Sequence, residues 1–381
     1  MAAHFPTDLA PAAEQAPIQT APTRKVWPRL LAVILCFAAL EGFLFHTTFY
    51  SRIMEPDSTT GYMELQLRNE IRRPKPNRNQ VLAVGHSRMS LLPRVVNQEK
   101  PGTGYTFASI GLGGATTRDW YYSLRAVDPD AHHYAAIVIP SDDFNDPESY
   151  DYQSEREADL HYMLARLQLR DLIDFPWTYR TRKLQWIAFR GILLKGFVYK
   201  RDFQEFLDHP LMRIAKSRWY ATDSAGWYYG YGGADESLAG LQIDWEHKTI
   251  TYPPGVPPNR RKNIEDELFP TRPPDAGRET EYLRYWYGKI VDYYRGSGTK
   301  LIFLRVPRAP VSPPDPPPKL NSAIREIAAQ PDVIVLDERL FDQLEHPEYF
   351  WDGWHLNRAG MEAFSRILAQ EVRRVVGPPK Y

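Results

Sequence analysis

Cysteine is almost missing from this chain: Cys36 is the only one in 381 residues. A lone thiol can neither close an intrachain disulfide nor supply a cysteine-based metal site. Any placement outside the cytoplasm must therefore be argued from a membrane segment. Neither sign of charge is in excess, since Lys plus Arg and Asp plus Glu both number 47. A nucleic-acid partner needs a net or clustered basic surface, so the balance argues against one. No internal repeat is visible. What is plentiful is apolar and aromatic side chain, at 43% and 13% of residues. That composition belongs to a folded chain and argues against long disorder away from the ends.

Residues 1–23 are rich in Ala, Pro, Thr and Gln and read as a flexible tail. Arg24, Lys25 and Arg29 follow, then an apolar run from Leu30 to Leu40. Glu41 interrupts the run and Gly42–Phe45 resumes it. With His46–Tyr50 added, the stretch reaches about 20 residues, enough to cross a bilayer as a helix. Glu41 and His46 both fall in its outer half, where a polar group costs less than at the centre. Trp27 and Tyr50 stand where interfacial aromatics belong, and the basic cluster keeps the amino end in the cytoplasm. No Ala-x-Ala site follows the run, which speaks against a cleaved signal peptide. Cys36 lacks the small residue that a lipoprotein cleavage box needs before it. The reading is a cytoplasmic tail (1–26), an uncleaved signal anchor (27–50), and a body that is periplasmic or extracellular. A buried helix of a soluble protein is the competing reading.

Residues 51–80 read as a polar connector with a helix at Gly61–Ile71. From 81 onward strands alternate with helices. The expected strands are Val81–Val84, Tyr105–Ser109, Ala135–Ile139, Leu301–Val306 and Val333–Leu336. Thr116 or Thr117 caps a helix running to Val127, with Asp119 in its first turn. A last helix spans Asn357 to Val375, with Phe364, Ile367, Leu368, Val372 and Val375 as one stripe. Such alternation implies an α/β fold with a doubly wound parallel sheet. The stretch 147–299 differs in character and reads as a helical and aromatic insertion or lid within a domain covering 81–381. Its helical patterns are Ala158–Ile173 and Arg182–Phe203. Pro307–Pro318 is a stiff, extended connection.

In such sheets, sites form at the carboxyl ends of the strands. Gly85-His86-Ser87-Arg88 follows the first strand and Gly111-Leu112-Gly113-Gly114-Ala115-Thr116 the second. Ser141-Asp142-Asp143-Phe144-Asn145-Asp146 follows the third, and Asp352-Gly353-Trp354-His355 precedes the last helix. A serine hydroxyl becomes a nucleophile when a base takes its proton. His355 is the candidate base, and Asp352 can fix its tautomer and stabilise the imidazolium. Backbone N–H groups of Ser87 and Gly114, with the Asn145 side chain, are candidate oxyanion donors. The glycines Gly111, Gly113 and Gly114 also suit a tight strand-to-helix turn.

This set resembles the SGNH (GDSL-like) hydrolase and acyltransferase superfamily, over roughly 81–146 and 300–376. That family's Gly-Asp-Ser block is matched by Gly85-His86-Ser87. Its second block is matched by Ser109 through Thr116, and its Asp-x-x-His block by Asp352 through His355. His86, Ser109 and Asp143 stand where the family has Asp, Asn and Gly. The resemblance implies a flavodoxin-like sheet and a Ser87–His355–Asp352 triad. It further implies an oxyanion hole of Ser87, Gly114 and Asn145, and no cofactor. Members with one amino-terminal anchor resemble envelope acyl-transfer proteins, such as those of teichoic-acid D-alanylation and alginate acetylation. The order of Ser before Asp and His is nearer to the D-alanylation type.

Other features have plainer uses. Asp142, Asp143 and Asp146 read as a solvated acidic turn, and no metal site is assigned. His132-His133 read as a surface loop without acidic ligands nearby. Gly226–Gly233, rich in tyrosine, packs the insertion or stacks sugar rings. Arg88 holds an anionic substrate group or makes a salt bridge, and Trp354 is a candidate substrate contact. The resulting expectation is extracytoplasmic, serine-dependent acyl transfer or ester hydrolysis on an envelope polysaccharide or other polymer. A membrane-bound acyltransferase is an implied partner. The alternatives are a degenerate site that binds a glycan or membrane partner, and a lipid esterase working near the bilayer.

Overall fold

The computed structural model describes residues 26–75, 78–89, 91, 93–97, 104–141, 155–222, 236–269, 276–307, 309–311 and 322–378. The strands among them are β1 (Gln80–His86), β2 (Thr106–Leu112), β3 (Ala136–Ser141), β4 (Gln242–Asp244), β5 (Thr249–Thr251), β6 (Lys300–Arg305) and β7 (Val333–Val335). Five of them form a parallel sheet in the order β2-β1-β3-β6-β7, while β4 and β5 pair as a separate antiparallel hairpin. The chain is therefore α/β, with a central parallel sheet.

The strands read as unbroken apolar runs because both sheet faces are covered. Successive side chains alternate between the faces. Leu82, Val84, Ile137, Ile139, Leu301 and Phe303 enter one buried cluster. Val81, Ala83, Ala136, Val138, Ile302 and Leu304 enter the other. The first face is covered by helices Thr59–Arg72, Thr117–Val127 and Ala276–Tyr294. The second is covered by the last helix, Arg358–Val376, through Phe364, Leu368 and Val372.

Several boundaries differ from expectation: Ala158–Ile173 is a helix to Met163 followed by a 3₁₀ turn at Leu169–Ile173, and Arg182–Phe203 is broken into Arg182–Leu193, Lys195–Val198 and Lys200–Asp208. Strand β2 continues to Leu112, so Gly111 is a strand residue and not part of the turn. The stretch 51–80 is more than a connector: Met54, Met63 and Leu67 are buried in the first cluster. The expected insertion also ends earlier, because Ala276–Tyr294 is the crossover helix into β6. It buries Trp286, Ile290 and Tyr294 against the sheet.

The N-terminal helix, Val26–Phe45, is long and apolar enough to cross a membrane. Val26 to Leu40 is exposed throughout, unlike the core helix of a soluble protein. Its far end docks on the protein. Glu41 is buried, and its Oε1 accepts the Gly196 N–H at 3.0 Å. His46 Nε2 lies 3.3 Å from the Leu193 carbonyl. Phe45 packs its ring 5.4 Å from Phe203 and 6.0 Å from Tyr199. The interruption at Glu41 is thus a contact to the helices that follow Arg182.

The helix Thr59–Arg72 runs antiparallel to the strands. Near its end, Glu70 accepts from the hydroxyl of Tyr134, which precedes β3. Midway, Gln66 Nε2 reaches the carbonyl of Gly111, near the end of β2, at 3.4 Å. The beginning of this helix, and the chain leading to it from Phe45, therefore lie toward the carboxyl edge of the sheet.

Candidate active site

At the carboxyl edge, β1 runs straight into a 3₁₀ turn, Ser87–Met89. His86 is buried, and its Nδ1 accepts the N–H of Arg88 at 3.1 Å, which fixes the turn just past Ser87. Ser109 serves the same loop from β2, where its Oγ accepts the N–H of Leu91 at 3.3 Å. His86 and Ser109 thus both have structural roles around the serine. Arg88 Nη2 donates to the Pro307 carbonyl at 2.9 Å and ties the turn to the end of β6.

Asp352 and His355 arrive on a short loop before the last helix. The loop is closed by an antiparallel bridge between Phe350 and Leu356 and by the Trp351 N–H donating to the His355 carbonyl. Asn357 then caps the helix, its side chain accepting from Gly360 N–H at 3.0 Å. Asn263 holds the loop from outside by accepting the Gly353 N–H at 3.1 Å.

Ser87 Oγ and His355 Nε2 are 2.9 Å apart, and His355 Nδ1 is 2.9 Å from Asp352 Oδ2. The carboxylate favours the tautomer with the proton on Nδ1, in which Nε2 is the acceptor for the serine hydroxyl. Asp352 Oδ1 also accepts two backbone N–H groups, from Trp354 at 2.7 Å and His355 at 2.6 Å. Burial is the largest influence on the Asp352 carboxyl and pushes its pKa up. The His355 ring and the two backbone donors together outweigh it, so the pKa lies below the usual 3.8. Asp352 is therefore a stable anion beneath the imidazole. A shallow depression borders Ser87 and His355, with Trp354, Arg88, Pro307 and Met361 on its walls.

Gly114 lies beside this relay in the topology. His86 and Leu112 are register partners, so the loops that follow β1 and β2 leave the sheet side by side. Gly114 has φ +72°, a conformation that a β-carbon disfavours. A β-carbon added there would sit 3.2 Å from Arg156 Nη2 and 3.3 Å from the Tyr162 hydroxyl. Tyr162 donates to the Gly113 carbonyl at 3.2 Å.

A buried polar network fixes the loop from behind. The Thr116 N–H donates to Asp119 at 2.9 Å, and the Thr116 hydroxyl donates to Asp159 at 2.9 Å. Arg118 pairs with Asp159 at 3.0 Å, and Tyr282 OH lies 2.8 Å from the Thr116 hydroxyl. Complete burial, reinforced by the Asp159 carboxyl beside it, pushes the Asp119 pKa well above the carboxylate range. Arg156, Asp159, Tyr162 and Tyr282 did not stand out in the sequence. They carry no motif, and only the fold brings them to the glycine loop.

Asn145, with Asp142, Asp143 and Asp146, lies outside the described residues, as do Gly226–Gly233 and most of Pro307–Pro318. His132 and His133 do have acidic neighbours, contrary to expectation. His133 Nδ1 is 2.9 Å from Asp128, and side-chain donor atoms of Asp130, His132 and His133 lie within 4.8 Å of one another. This exposed group precedes β3, at the opposite edge of the sheet from Ser87. No protein-family model matches the chain, and no curated protein matches its sequence.

Proposed function

We propose that this chain is a serine-dependent acyl-transfer enzyme of the SGNH type, anchored in the cytoplasmic membrane with its body outside. One observation carries the reading: an unbroken relay from Ser87 through His355 to a buried, ionised Asp352. A serine that is only a turn residue has no need of it.

The step runs as follows. Ser87 Oγ attacks the acyl carbon of an ester or thioester, and its proton passes to His355 Nε2. The negative charge on the former carbonyl oxygen meets backbone N–H groups of the two loops, Gly114 among them. The bond to the leaving oxygen or sulfur breaks, and His355 returns the proton to it. The acyl-Ser87 ester is then attacked by water or by the hydroxyl of an acceptor, with His355 again taking the proton. Asp352 stays ionised throughout.

The anchor favours an envelope acceptor, a polysaccharide or related polymer, and a donor delivered at the membrane. It is supported by the docking of Glu41 and Phe45, since cleavage before the body would remove those contacts. The complete relay favours an enzyme over a degenerate binding module. The test is intact mass after exposure to a fluorophosphonate, with Ser87→Ala alongside. One adduct on the wild type and none on the variant is the expected result. A folded wild type that takes up no adduct overturns the reading.

A further inference from the structure

We infer that the helices between Arg182 and Thr222 form a second membrane contact, an interfacial platform lying in the headgroup layer beside the anchor. The inference rests on the reading of Val26–Phe45 as a membrane span, and it is independent of the chemistry at Ser87.

The first observation is apolar exposure. Trp186 is 61% exposed and Phe197 58%, with Leu193 also exposed between them. Trp186, Arg190 and Leu193 follow helical spacing and share one face of the helix Arg182–Leu193. The helix breaks at Leu194, and Phe197 on the next turn is brought to that face by its contact with Arg190. The next helices expose Leu207, Leu211, Met212 and Trp219. An apolar surface of this extent marks a contact with a membrane or a partner.

The second observation is charge. The chain as a whole is neutral, yet Arg182 to Arg201 holds six cationic residues and no carboxylate. Lys195 is buried; Arg182, Lys183, Arg190, Lys200 and Arg201 are exposed. The Arg190 guanidinium lies over the Phe197 ring, 5.7 Å from its centre. Arginine and lysine among exposed tryptophan, leucine and phenylalanine suit a helix lying in an anionic lipid surface. The rings enter the acyl boundary, and the long basic side chains reach the phosphates.

The third observation selects lipid over a protein partner: the face continues the anchor. Leu193 and Phe197 flank the point where Gly196 meets Glu41, and the Leu193 carbonyl touches His46. Phe43 and Phe49, both exposed, stack 5.5 Å apart at the same exit. A helix leaving the bilayer at Phe45 places these side chains at the lipid surface.

The test uses the full chain in lipid nanodiscs of phosphatidylcholine with or without phosphatidylglycerol. A fluorophore is attached at native Cys36, or in a Cys36→Ser background at Trp186→Cys, Phe197→Cys or Arg295→Cys. Arg295 is exposed at the amino edge of the sheet and serves as the aqueous reference. Quenching by shallow doxyl-lipid is compared with quenching by iodide. Probes at 186 and 197 are expected to give a several-fold higher lipid-to-iodide ratio than the probe at 295, rising with phosphatidylglycerol. Lipid quenching at Cys36 with probes at 186 and 197 matching 295 overturns the platform and keeps the anchor. No lipid quenching at Cys36 overturns the anchor itself, and the platform with it.

Discussion

Asp352 holds His355 at two points, the ring Nδ1 at 2.9 Å and the backbone N–H at 2.6 Å. The same carboxylate that orients the base also folds the loop that carries it.

Replacement of this group should therefore affect both chemistry and folding. Asp352→Asn is expected to lower turnover by roughly 10³- to 10⁴-fold, as loss of the tautomer-fixing carboxylate does in serine triads. Asp352→Ala also leaves two part-buried N–H groups without their acceptor, at about 1 kcal/mol. Rates of fluorophosphonate labelling and denaturant midpoints separate the two effects. Wild-type labelling rates in Asp352→Asn would remove Asp352 from the relay.

The depressed pKa of Asp352 has a defined sign. The unfolded carboxyl binds a proton more readily than the folded one, so ionised Asp352 stabilises the native state above the usual 3.8. That contribution is lost as pH falls through the lower, folded pKa. Melting curves of wild type and Asp352→Asn should accordingly converge under acid conditions and separate above pH 4 to 5, a window of about one unit past the usual value.

Lys195 gives a slope of the same sign in a higher pH range. Burial, the largest influence, lowers its pKa from 10.5 to about 8, against the pull of Glu64, Asp171 and Glu41. Between those two values the unfolded chain binds more protons, so stability should rise with pH across that range. Lys195→Met removes the buried charge and should stabilise the protein at neutral pH by on the order of 2–3 kcal/mol. An unchanged melting temperature in detergent would show the charge to be well compensated.

Arg156 stands over the glycine loop, its Nη2 3.2 Å from where a β-carbon on Gly114 would sit, and the proposed reaction would bring an acyl or acceptor group past it. Arg156→Ala should keep fluorophosphonate labelling, because that probe needs only the relay. It should raise KM for acidic substrates by about 10- to 100-fold, the value of a charge-assisted hydrogen bond. Equal losses on neutral and acidic esters would count against this role.

Gly85 has no room for a side chain. A β-carbon there would meet Met89 Cγ at 2.5 Å and Pro140 Cγ at 2.8 Å. Gly85→Ala should destabilise the fold by about 1–3 kcal/mol and displace Ser87 from His355. Chemical denaturation and labelling rate, measured on the same sample, should fall together.

The parts visible in the sequence were those with short-range signatures. Strand cores at 81–84 and 301–306, the cap at Thr116 with Asp119, and Asp352 with His355 three positions on all depend on neighbours in the chain. Strand ends were less legible, since Gly111 suits both a turn and a strand. The crossover helix Ala276–Tyr294 was hidden because its aromatic face resembles the insertion around it. Arg156 and Asp159 act through contacts to Gly114 and Thr116 that no local pattern announces. Glu41 looked like a flaw in an apolar run until its partner, Gly196, was placed beside it.

Under the proposed reaction, the direction of the helix Thr59–Arg72 limits where the chemistry can take place. Its first turn points toward the edge that holds Ser87, and the link back to Phe45 is packed through Tyr50 and Met54. With the anchor in a bilayer, the serine has little freedom to roam on a tether. On the proposed reading it would sample a thin layer above the lipid, and encounter would become a search in two dimensions that depends on the surface density of donor and acceptor. Polymer far out in the envelope would stay beyond reach, and modification would have to occur while the acceptor is still close to the membrane.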